Sequence, residues 1–135
     1  MEHYRLGWLT DEESAVLLEL YENSTWQDFD IAVIRAHEMI STKSEAIPLI
    51  IKVQEKLPDG NPIMHFSRAA RNQPENMGKI IIIVPSMVSF EMRLMSRILT
   101  VMKKIFPGKR FVTFVATYDE AVALATQSNV AQMGA

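Results

Sequence analysis

Apolar and polar residues alternate at the start of the chain, where Tyr4, Leu6 and Trp8 are separated by Arg5 and Gly7. A second apolar run, Ala15 to Tyr21, follows Thr10-Asp11-Glu12-Glu13. A period of two, a polar turn and a second run predict an antiparallel hairpin. The period then changes. Trp26, Phe29, Val33, Ala36 and Ile40 recur every three or four residues, the stripe of an amphipathic helix ending near Thr42. Ser24 with Gln27 predicts a capping box at its start. Pro48-Leu49-Ile50-Ile51-Lys52-Val53 is short and β-branched, which predicts a third strand parallel to the second across the helix. Pro58-Asp59-Gly60-Asn61-Pro62 predicts a turn at that strand's carboxyl end, with a short helix from Ile63 to Asn72 after it.

Lys79-Ile80-Ile81-Ile82-Ile83-Val84 is apolar on both faces, the pattern of a central parallel strand covered on each side. From Met87 to Phe106 the spacing of Phe90, Leu94, Met95, Ile98, Val101, Met102 and Ile105 predicts the longest helix, with Lys103 and Lys104 suited to its carboxyl end and Pro107-Gly108 as its stop. Phe111 to Ala116 reads as a fifth strand. Thr117-Tyr118-Asp119-Glu120 is a second capping box before a final helix. The expected fold is therefore α/β, a single layered domain with a mixed, mostly parallel five-stranded sheet and about four helices, in the order β-β-α-β-α-β-α-β-α. The domain is expected over residues 1–128, with a flexible tail at 129–135.

Composition narrows the function more than the fold. The 135 residues contain no cysteine, which excludes a disulfide framework, a thiolate metal site, a catalytic thiol and an iron–sulfur cluster. Fourteen Lys and Arg against sixteen Asp and Glu leave a formal net charge of -2, which argues against a nucleic-acid partner held by bulk phosphate attraction. With 48% apolar and 22% charged residues, the chain has the balance of a compact globular domain. Its longest apolar run, Ile80 to Pro85, is far short of the ~20 residues that span a bilayer. No secretory leader is visible near Met1, so a cytoplasmic location is expected.

Several stretches together resemble a known family: Trp26-Gln27-Asp28-Phe29, Pro48 to Val53, His65-Phe66-Ser67-Arg68-Ala69-Ala70, Gly78 to Val84, Arg110-Phe111 and Tyr118-Asp119-Glu120-Ala121. In these, and in element order over nearly the whole chain, the sequence is similar to the STAS domain of anti-sigma-factor antagonists. The likeness is closest to their sporulation-antagonist-like bacterial relatives, which are also compared with lipid-binding Sec14-type domains. The resemblance implies a non-enzymatic protein-interaction or regulatory domain. In the antagonists a phosphorylatable hydroxyl stands beside an aspartate where the third strand meets the second helix. Here Gln54 to Pro62 contains no hydroxyl residue, so the phosphorylation switch is not carried over.

No catalytic set, metal site or cofactor site is expected. Of three histidines, His37-Glu38 lacks a second histidine at the zinc-protease spacing, and a solvated helix face is the expected place for His37. His65 follows the loop at a strand's carboxyl end, where α/β sheets place ligands, although an ordinary histidine near a helix start accounts for it too. With Arg68, Ser86, Ser89 and Arg93, it forms the candidate set for a lipid-like or anionic small molecule. Helix capping and solvated basic faces explain the same residues. The remaining surplus is apolar. Met92 and Leu99 lie away from the stripe holding Met95 and Leu94, so Met92, Met95 and Leu99 are the candidate interaction surface, for a protein partner or a second copy in a homodimer. A helix packed on both sides is the alternative.

Overall fold

The computed structural model describes residues 3–53, 62–83 and 112–134. β1 (Tyr4–Trp8) and β2 (Val16–Leu20) form the antiparallel hairpin, with Leu6 opposite Leu18. Its turn places Glu13 at φ 55, and the Glu13 carboxylate is 2.7 Å from the Lys43 ammonium. α1 (Trp26–Ser41) crosses to β3 (Ile47–Lys52), and α2 (Pro62–Arg71) precedes β4 (Met77–Ile83). β5 (Val112–Val115) and α3 (Tyr118–Gly134) follow. β2, β3, β4 and β5 pair in parallel, so the sheet order is β1-β2-β3-β4-β5.

The mixed, mostly parallel five-stranded sheet is as the pattern predicts, but the helix count and element order are corrected. Among the described residues there are three helices, in the order β-β-α-β-α-β-β-α. An apolar 3.6-residue period marks an amphipathic face, whereas helices in proteins rest on the packing of such a face; among the described residues α1 and α3 pack on the sheet and α2 packs against α1. The predicted Met87 to Phe106 helix lies outside the described residues. β4 lies inside the sheet, parallel to β3 on one side and β5 on the other and buried on both faces, as its apolar run predicts. α3 continues through Gly134, across positions assigned from the sequence to a tail. No helix among the described residues is long and apolar enough to cross a membrane.

Strand alternation sends side chains to two cores. Leu18, Leu49, Ile51, Ile80 and Ile82 pack with Trp26, Phe29, Val33, Ala36 and Ile40 of α1. Ile50, Ile81, Ile83 and Val115 pack beneath Ala121 and Ala125 of α3. This is the two-faced burial that continuous apolar strands require. Between Ile47 and Leu49 the β3–β4 register shifts, at Pro48, whose missing N–H suits an irregularity. Gly78 faces it. A Cβ there would stand 3.0 Å from both the Ile47 carbonyl carbon and the Pro48 nitrogen, so glycine lets the two backbones approach closely without crowding.

α1 is capped one residue later than the Ser24–Gln27 pattern predicts. Thr25 is the N-cap: its hydroxyl accepts from the Asp28 N–H at 3.1 Å, and the Asp28 carboxylate accepts from the Thr25 N–H at 2.9 Å. The carboxylate also receives the His3 ring at 2.8 Å, an attraction that an amide at Gln27 would not supply. At the far end, the Asn76 side-chain amide donates to the carbonyls of Ile40, Lys43 and Glu45. Of the predicted second capping box the N-cap half forms: Thr117 Oγ1 accepts from the Glu120 N–H at 3.2 Å, while the Glu120 carboxylate accepts from the Thr117 hydroxyl at 3.2 Å and not from its backbone N–H.

Candidate functional site

Two features of α1 organise the surface. The first faces α2. Trp26 is buried at the start of α1 and meets Phe29 edge to face, with ring centroids 5.4 Å apart. One turn on, Asp30 projects beside α2, where His65 and Arg68 lie three residues apart and so on one face. A carboxylate only accepts, so His65 Nδ1 carries the proton and donates to the two Asp30 oxygens at 2.9 and 3.0 Å. Arg68 reaches the same carboxylate at 3.4 Å. The His65 ring stacks on Trp26, with centroids 4.9 Å apart and planes 7° apart.

This cluster unites two predicted ligand residues, but turns both toward Asp30. His65 is only 13% exposed, while Arg68 is 51% exposed. An aspartate that orients an imidazole is one component of a general-base arrangement; no described hydroxyl completes it. Ser86, Ser89 and Arg93, the other members of the predicted ligand set, lie outside the described residues, as do Met92, Met95 and Leu99. No group of three or more metal-ligating side chains occurs among the described residues.

The second feature faces the β1 edge of the sheet, which no described strand covers. Arg35, Glu38, Met39 and Thr42 recur along one side of α1 and, with His3, Tyr4, Arg5 and Leu6, line an open groove of about 840 Å³. Arg35 Nη1 donates to the Tyr4 hydroxyl across it at 2.9 Å. Ile31 and Ile34, farther round the helix, are 40% and 57% exposed.

His37 corrects the expectation of a solvated face. It is half-buried, and burial holds its imidazole below the ordinary 6.5. Asp28 is also perturbed: desolvation pushes its carboxyl up, but the Thr25 backbone N–H, the His3 ring and the Thr25 hydroxyl together hold it below 3.8. Sequence reasoning did not single out Asp30, Arg35 or Glu38. Asp30 stands four residues after Trp26, and that spacing is the one local signal that both border the same neighbour.

No protein-family model, curated protein or solved structure matches the chain.

Proposed function

We propose that the chain is a non-enzymatic, STAS-like domain acting in protein interaction or regulation in the cytoplasm, without the phosphorylation switch. The observation that carries this reading is a contrast between polar and apolar groups on α1 and its neighbour. His65 and Arg68 engage Asp30, whereas Ile31 and Ile34 remain exposed one turn apart. Apolar groups on an otherwise polar helix face favour a macromolecular partner. The strand order adds support: β1 to β5 advance in one direction across the sheet, without the reversal beside which open α/β sheets hold small ligands.

Native mass spectrometry of the freshly purified chain tests the reading. The expected spectrum contains the bare chain and protein complexes only. A stoichiometric small-molecule adduct that survives purification from several hosts and is released on unfolding overturns it, in favour of ligand binding around His65 and Arg68.

A further inference from the structure

We propose that two copies of this chain join through β1, strand against antiparallel strand, about a two-fold axis at Leu6. This rests on the protein-interaction reading and names its surface. β1 is an outer strand of the sheet, and no described strand pairs with its far side. The Leu9 N–H donates to Ala15, and the His3 carbonyl accepts from Tyr21. Antiparallel alternation therefore turns residues 3, 5, 7 and 9 toward β2, and the N–H and C=O groups of Tyr4, Leu6 and Trp8 outward. An edge of this kind is a template for another strand.

The sequence of β1 fits its own reverse. An axis at Leu6 sets Tyr4 opposite Trp8 of the second copy, Leu6 opposite Leu6, and Arg5 opposite Gly7. All three outward-facing residues then stand in hydrogen-bonded pairs, each exchanging both backbone bonds. Gly7 has nothing within 4 Å of the place its Cβ would occupy, so the opposing arginine has room. Arg5 already has Glu19 as its cross-strand neighbour on β2, and the two arginines of the pair do not face each other.

Charge complementarity on α1 selects a second copy over an unrelated strand. An axis normal to the sheet brings the two α1 helices alongside on the same face, running in opposite directions. Arg35 and Glu38 lie one turn apart on the side lining the edge groove, so each arginine approaches the other copy's glutamate, as an isologous contact demands. The groove, floored by Tyr4, Leu6 and Met39, lies where Leu6 and Trp8 of the second copy enter.

Sedimentation equilibrium of the full chain from about 1 μM to about 1 mM, the range from specific to weak association, is the test. The expected result is a monomer–dimer equilibrium. Gly7→Lys, whose side chain enters open space in the monomer, puts like charges opposite each other twice and raises the dissociation constant about twofold to thirtyfold. Gly7→Lys/Arg5→Glu restores it. Amide exchange at Tyr4, Leu6 and Trp8 of the unaltered chain slows with concentration and decides the matter should Gly7→Lys fail to fold. A monomer throughout the range, a dimer indifferent to Gly7→Lys, or exchange independent of concentration overturns the proposal. Such a failure leaves an interaction with an unlike protein standing; a bound small molecule removes the interaction reading and leaves edge pairing to be judged by sedimentation.

Discussion

The imidazole of His65 lies flat on the indole of Trp26, with Asp30 holding its Nδ1–H from the side. This joins α2 to α1. Asp30→Ala removes the acceptor of a nearly buried donor, and should cost about 1–3 kcal/mol. Urea unfolding measures the loss, and amide exchange in α2 should quicken more than exchange in β3.

Asn76 supports the opposite end of α1. Its amide donates to three carbonyls that end the helix and begin the turn into β3, while its own carbonyl accepts from Ile47. Asn76→Ala should lower stability by about 1–3 kcal/mol. Asn76→Asp, nearly identical in shape, should do at least as much harm because it sets a carboxylate against carbonyl oxygens at the negative end of a helix. Thermal melts of the two variants check the order.

Gly78→Ala forces a methyl group against the backbone of Ile47 and Pro48. Backbone atoms yield less readily than side-chain tips, so a cost of about 1–3 kcal/mol is expected. A larger fall in the denaturation midpoint than Gly7→Ala produces would confirm the difference between a crowded and an open glycine.

Two of the described groups, His37 and Asp28, contribute to the pH dependence. Burial lowers the His37 pKa below 6.5, so the unfolded chain binds more protons there, and stability declines as pH falls from 6.5 toward the folded value. His37→Gln should flatten that slope in urea midpoints taken between about pH 8 and pH 5. Asp28 has the depressed carboxylate: its contribution is present above 3.8 and is lost as pH falls through the lower folded value. Asp28→Asn should flatten the acid limb only.

The strands and α1 were legible because their spacing is set by local geometry, and Val16, Ile50 and Ile81 are β-branched residues at buried positions. The cap slipped by one residue because His3, distant in sequence, favours Asp28 as the reciprocal acceptor. Asp30 was invisible for the same reason: its partners lie 35 and 38 residues on. A helical wheel likewise gives His37 a solvated direction, without the neighbours from elsewhere that bury it. The edge groove depends on which strand lies outermost, a property of sheet order that no single strand's pattern contains.

Because spatial order across the sheet repeats order along the chain, no strand has to insert between two already in place. A nascent chain, leaving the ribosome from its amino end at about 5–20 residues per second, can close the hairpin first and then lay β3, β4 and β5 in turn on an edge that is already waiting. Growth then exposes one temporary edge at a time, and each successive strand covers the last.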